Sequence, residues 1–319
     1  MSIYSRSNFL YYIKVHISLN VRSATVDVES GKNDHKNQER GMMNLFKELS
    51  HQCSKATTEM YSTSFSSAIK LLHPKLRQPV FNIYGFVRLA DEIVDTFHQH
   101  DKELLFMEFK KETYAAIDRG ISLNPILHSF QLTVNHYGIS QNLIEAFFIS
   151  MEMDLNKSFY DSDKYKEYIY GSAEVVGLMC LHVFCEGDKA MYKKLKPSAQ
   201  LLGAAFQKVN FLRDVKADYE QLSRTYFPDV DFKNFTSETK QKIEAEIARD
   251  FSGAYEGIVQ LPIKARFGVY VAYKYYLSLF KKIKNTKPAN ILEQRIRIPN
   301  YGKVFIVAKA GLRNQFNNL

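Results

Sequence analysis

Two sets of oxygen-bearing side chains are spaced as a helix would need to bring them together. Asp91 and Asp95 are four residues apart, and Arg88 and Tyr84 precede Asp91 by three and seven. Further along, Gln207, Asn210, Asp214 and Asp218 follow one another at three, four and four. A helix rises about 1.5 Å per residue, so each set forms a stripe on one face, its carboxylates about 6 Å apart along the axis. By itself the Asp91/Asp95 pair fits a solvated helix face as well as a site. The second stripe shifts that balance. Like charges at i,i+4 repel, Lys208 and Lys216 point away from the acids, and two such pairs occur in a chain of net charge +9. A cation that holds each pair together accounts for both. Carboxylate and amide oxygens without clustered Cys or His favour a hard ion such as Mg²⁺ over zinc or copper. Magnesium commonly binds through one or two carboxylates plus substrate phosphates. Arg88 and Arg213, beside the acids, are placed to neutralise phosphate oxygens.

Composition sets the frame. The chain has 319 residues, 45% hydrophobic and 24% charged, which is ordinary for a globular protein and wrong for a disordered one. With 8 Pro and 14 Gly, collagen-like and turn-dense β architectures are excluded. Cys53, Cys180 and Cys185 form no CxxC pair and no disulfide framework, so a reducing compartment is expected, with Cys180 and Cys185 as small buried hydrophobes. A pI near 9.2 favours anionic partners. The basic residues are scattered and no nucleic-acid-binding motif is present, so nucleic acid is not expected as a partner. The longest apolar stretch, residues 175–185, is too short to span a bilayer. A cytoplasmic monomer is expected. Lys281, Lys282 and Lys284 form a solvated helix end that also suits peripheral contact with an anionic membrane.

Residues 1–41 read differently from the rest: the stretch 30–40 has no apolar period, which predicts a disordered N-terminal extension ahead of a catalytic domain over 42–319. From there apolar residues recur at three and four over 45–67, 80–97, 104–121, 143–154 and 165–185, then over 191–195, 199–219, 237–258 and 262–284. Prolines at 74, 125, 197, 228 and 288 punctuate these runs, and Ser237 is a candidate cap for the helix after it. Only residues 304–307 alternate like a strand. The pattern predicts a single all-α domain.

The stripes and three further segments closely resemble the squalene/phytoene synthases. Tyr84-Gly-Phe-Val-Arg-Leu-Ala-Asp-Glu-Ile-Val-Asp95 and Asn210-Phe-Leu-Arg-Asp-Val-Lys-Ala-Asp218 look like the two acidic motifs of that family. Tyr61-Ser-Thr-Ser-Phe65 resembles its N-terminal substrate segment, Tyr168-Ile-Tyr-Gly-Ser-Ala-Glu-Val-Val-Gly177 its central motif, and Arg224-Thr-Tyr-Phe-Pro228 the element after the second acidic motif. Five ordered motifs between about residues 43 and 300 are specific, and the likeness is greatest to the phytoene synthases of carotenoid-making bacteria.

The resemblance implies an isoprenoid synthase fold around a central cavity, and head-to-head condensation of two prenyl diphosphates through a cyclopropylcarbinyl diphosphate. For phytoene, two geranylgeranyl diphosphates would react with Mg²⁺ (or Mn²⁺) and without NADPH. By motif position, Asp91 and Asp95 would hold magnesium at one end of the cavity and Asn210 and Asp214 at the other, with Asp218 completing the second motif. Ser62, Ser64, Arg88 and Arg213 would contact diphosphate; Tyr84, Tyr168 and Gln207 would line the reacting region. Tyr276 and Arg295 match later phosphate-contacting positions. Gly171 and Gly177 would make room for a prenyl chain, although a neighbouring helix serves equally as the reason for glycine there. Phe65, Tyr84, Tyr168, Tyr170 and Phe206 are candidates for a ring-lined cation wall, with core packing the plainer role for Phe206. Squalene or dehydrosqualene synthesis from farnesyl diphosphate is the alternative reaction, and a non-catalytic homologue a third reading, weakened by the retention of all four aspartates.

Overall fold

A computed structural model describes residues 33–155, 161–221, 226–228, 230, 235–293 and 295–315. Contacts divide the chain into two units, 1–44 and 45–319. Of the first, residues 33–44 are described, as part of helix α1, Asn33–Tyr61. The helix thus begins inside the segment expected to be disordered. Its polar start is rich in Lys, Gln, Glu and Arg, all good helix formers, and propagation of an existing helix is cheap.

The second unit is a helix bundle, with no strand among the described residues. After α1 come α2 (Thr63–Lys70) and α3 (Pro74–Thr96), then α4 (Lys102–Arg119), α5 (Pro125–Tyr137) and α6 (Gln141–Leu155). Next are α7 (Ser162–Ile169), a π-helical turn (Tyr170–Glu174) and α8 (Val175–Cys185). The last five are α9 (Lys189–Gln221), α10 (Ser237–Ile258), α11 (Ile263–Lys284), α12 (Pro288–Glu293) and α13 (Asn300–Gln315).

Several details depart from the periodicity. The run expected over 45–67 is two helices, because Ser62 takes an extended conformation and its hydroxyl accepts from the Phe65 amide, capping α2. Helix α5 lies where no helix was expected; Asn124 caps it, Pro125 opens it, and Gly138 ends it at positive φ. Pro197 lies inside α9 rather than between two helices. Packing along α10 and α8 outweighs its one missing hydrogen bond. Thr236, not Ser237, caps α10. Residues 304–307, read as strand-like, are helical within α13.

The apolar residues that recur at three and four along α3 are largely buried: Ile83, Phe86, Ala90, Ile93 and Val94 lie in a core where Phe86 stacks on Phe130 at 3.8 Å. A second cluster gathers around Phe251, Tyr270 and Phe280 from α10 and α11. The stretch Ser162–Cys185 is long and apolar enough to cross a membrane, but most of it is packed inside the protein, as expected of a core helix.

The π-helical turn is wedged between α6 and α9. A Cβ on Gly171 would lie 2.3 Å from the Ala146 carbonyl oxygen, and one on Gly203 would lie 2.7 Å from that of Ala173. Both neighbours are backbone and cannot step aside. Gly203→Ala is therefore expected to destabilise the protein by about 1–3 kcal/mol. Gly311→Ala, with nothing near its added carbon, should be neutral or stabilising by up to ~1 kcal/mol. Urea denaturation followed by circular dichroism checks the contrast.

Candidate active site: a charged rim on an apolar cavity

A cavity of about 500 Å³ opens between the two core clusters, within the range usual for small-molecule sites. Side chains from both clusters line it, among them Ile69, Leu72, Phe147 and Met151 from one and Tyr168, Phe211, Tyr226 and Ile258 from the other. Along α3 the lining runs Val80, Tyr84, Val87, then Arg88, Asp91 and Asp95. Along α9 it runs Ala199, Leu202, Phe206, then Gln207, Asn210 and Asp214. On each helix an apolar wall passes through aromatic rings into charge.

The rings form a continuous set. Phe65 lies 4.5 Å from Tyr84, 6.2 Å from Phe206 and 6.0 Å from Tyr276, and Phe206 stacks on Tyr276 at 3.9 Å. Burial pushes the phenol of Tyr84 well above its usual range and also raises that of Tyr276, so both present neutral faces. The Tyr276 hydroxyl donates to Asn210 Oδ1 at 3.3 Å, fixing the amide within the second stripe. Tyr168, stacked obliquely against Tyr226 at 5.2 Å, donates to Asp154 Oδ2 at 2.8 Å.

The acids are held by arginine. Arg88 pairs with Asp91 and, through Nη2, with Glu92 at 2.6 Å, while its guanidinium lies 4.3 Å from the Tyr61 ring centre. Burial works against that charge, but Asp91 and Glu92 outweigh it and raise the Arg88 pKa. Arg213 donates from Nε to both Asp214 oxygens at 3.0 and 3.1 Å, and Arg295 Nε reaches Asp214 Oδ1 at 2.7 Å. Burial again opposes the Arg213 charge, and Asp214 again overcomes it.

Of the residues singled out from sequence, Tyr84, Arg88, Asp91, Asp95, Tyr168, Gly177, Gln207, Asn210, Arg213, Asp214, Tyr276 and Arg295 all line the cavity, with Ser62, Phe65 and Phe206. Ser64 and Tyr170 do not. Gly171 does not either: the close approach that requires glycine there is the backbone of α6. Asp218 falls within α9, but its side chain lies outside the described residues, as do Arg224 and Thr225. Cys180 lines the cavity with its thiol pushed up to about 12 by burial, so it packs as an uncharged side chain.

Sequence reasoning missed four contributors. Asp154 is a buried acid in an apolar run of α6, and nothing local marks it as the Tyr168 partner. Ser172 accepts from Gln207 Nε2 at 3.2 Å across the π-helical turn. Glu92 shares Arg88 with Asp91. Lys208, placed away from the acids, is buried, where it reaches Asp250 at 2.7 Å and pairs with Glu246. Its burial disfavours the charge, and the two acids more than compensate.

Among the described residues no group of three His, Cys, Asp or Glu forms a ready metal cage. Two acid-bearing stripes that each offer one or two oxygens would suit a magnesium ion, which commonly takes its remaining ligands from water and phosphate.

A helical chamber with paired acids and arginines beside an aromatic-lined apolar cavity is the form of an isoprenoid synthase. A dehydrosqualene synthase crystal structure with bound ligand superposes with a TM-score of 0.71 at 18% identity, over 84% of this chain and 98% of that one. The squalene/phytoene synthase family matches residues 58–302, and the chain belongs to that family. It is 27% identical to phytoene synthase 3 of Zea mays over 83% of this chain and 66% of the maize protein, a little under two thirds of its length. Against the phytoene synthase of Arthrospira platensis it is 26% identical, over 83% of this chain and 93% of that one.

Lys208 carries one stability prediction. Lys208→Met strands Asp250 in a buried site and should cost about 3–5 kcal/mol, most of it recovered in the double variant with Asp250→Leu. Urea titration measures both.

Proposed function

We propose that this chain catalyses the head-to-head condensation of two geranylgeranyl diphosphates to phytoene through a cyclopropylcarbinyl diphosphate. The observation that carries the reading is the passage, on both α3 and α9, from apolar wall through aromatic rings to acids and arginines around one cavity. The two relatives named as phytoene synthases support the choice of substrate.

Each part of the cavity has a job in that chemistry. Breaking the C–O bond of an allylic diphosphate sends the electron pair out with the diphosphate and leaves an allylic cation. Asp91, Asp95, Asn210 and Asp214 would hold magnesium, which when bound neutralises the departing charge. Arg88, Arg213 and Arg295, which line the cavity with Ser62, would take the remaining phosphate oxygens. The apolar lining keeps water from the cation. The faces of Tyr84, Phe65, Phe206, Tyr276 and Tyr168 stabilise it by about 0.5–2 kcal/mol per ring. The double bond of the second substrate attacks and a proton leaves to close the three-membered ring. A second ionisation, rearrangement and proton loss give the product with no net redox change, so NADPH is not needed. The likeness to a dehydrosqualene synthase keeps farnesyl diphosphate as the alternative substrate.

Purified protein given geranylgeranyl diphosphate and magnesium should release phytoene equally with and without NADPH. Product from farnesyl diphosphate alone would move the assignment to the squalene-type reaction. Asp91→Asn and Asp214→Asn should each lower turnover by at least about 10²-fold while helical content is unchanged. The same variants should lose the magnesium-dependent heat of inorganic diphosphate binding in calorimetry. Full retention of both signals would remove these acids from the site.

A further inference from the structure

Helix α13 has apolar residues on the wrong side. Tyr301, Val304 and Phe305 are 80%, 69% and 68% exposed, and Ala308, also exposed, follows them on the same face. The opposite side is apolar as well: Ala310 is buried and Val307 packs on the core over α11. A helix that is apolar on both sides suits a partner on each, and among the described residues the outer side is uncovered.

Charge identifies that partner. Lys and Arg are scattered along the sequence, but their excess over acids is not. Residues 281–313 hold nine Lys and Arg against a single acid, Glu293, and so carry almost all of the chain's +9. Lys281, Lys282, Lys284, Lys287, Arg297 and Lys309 are exposed. We propose that the outer face of α13, with these cations, is a docking surface for an anionic lipid bilayer. A lipid surface takes both parts, headgroups on the lysines and acyl chains around Val304 and Phe305. A nucleic acid would use the cations but leave the apolar stripe unexplained, and a second copy of the chain would set the same positive charge against itself. The surface lies close to the cavity wall: Lys303 donates to Thr63 at 3.0 Å, next to the cavity-lining Ser62.

The test is co-sedimentation of the full chain with phosphatidylcholine vesicles, with and without roughly one-third phosphatidylglycerol. Binding is expected to the anionic vesicles only, weakening as salt rises. Val304→Ser with Phe305→Ser, which leaves the charge unchanged, should cut partitioning roughly tenfold or more with the helical signal intact. Lys281→Gln with Lys282→Gln should weaken it about fivefold per lysine and flatten its salt dependence. Three results would each overturn the proposal: no binding of the parent chain to anionic vesicles; a serine variant that binds like the parent; or a duplex oligonucleotide that displaces the vesicles and binds the serine variant as tightly as the parent. A concentration-dependent dimer lost in the serine variant, without vesicle binding, would assign the face to self-association and overturn it too. Because binding is read without substrate, its failure leaves the condensation reading intact. Turnover of soluble diphosphate by the serine variant should match the parent.

Discussion

The structure has to keep charge in the wall of an apolar cavity. Removing a carboxylate or guanidinium from water costs several kcal/mol unless a partner stands ready. Here every described acid of the two stripes has an interaction: Asp91 with Arg88, Asp214 with Arg213 and Arg295, and Asp95 with partners of its own. Those pairs hold the side chains in place on rigid helices. Under the proposed function they would also give the site a reserve of countercharge, since a carboxylate engaged by a bound cation would leave its arginine for a phosphate. Arg88 Nε is buried without a partner among the described residues, so this guanidinium already has one donor to spare.

Helix α9 carries the largest share of this constraint, and its two sides solve different problems. Gln207, Asn210 and Asp214 face the cavity. One residue along from Gln207, Lys208 is buried and joined to Asp250 and Glu246. The ion pairs on that side tie α9 to α10, so the stripe on the other side is presented from a fixed support. Gly203 brings α9 against the π-helical turn, and that approach lets Gln207 reach Ser172.

Much of the site was legible because helical spacing is local information. The i,i+4 acids, with Arg88 and Tyr84 on the same stripe, need only the 3.6-residue period to be placed on one face, and that face does line the cavity. The features that were not legible depend on contacts distant in sequence. Lys208 was placed only as pointing away from the acids of its own stripe, because its partners Asp250 and Glu246 lie some forty residues on. Asp154 read as one acid in an apolar run, although its Tyr168 partner is fourteen residues away in the next helix. The π-helical turn has no pattern of its own, so a glycine that could have faced a substrate chain turned out to face the backbone of α6. Pro197 misled in the other direction: proline is a strong local signal, and tertiary packing overrode it.

The uneven charge follows from the same division of labour. Outside residues 281–313 the chain is close to neutral, although it handles acids and arginines at the cavity with care. An arginine that serves an interior site and is matched by interior carboxylates adds nothing to the net charge, as Arg88 with Asp91 and Glu92 and Arg213 with Asp214 show. An unmatched excess has to serve something outside the fold. Its position next to α13, whose apolar outer face is uncovered among the described residues, gives both features a single cause, because a cation cluster alone holds a protein near a lipid surface only weakly and salt readily releases it. Apolar side chains that enter the interface add an attraction that salt does not screen. The combination suits a protein whose cavity is built for long apolar chains: a surface that seats lipid near the wall of that cavity shortens the distance over which such chains would otherwise meet water.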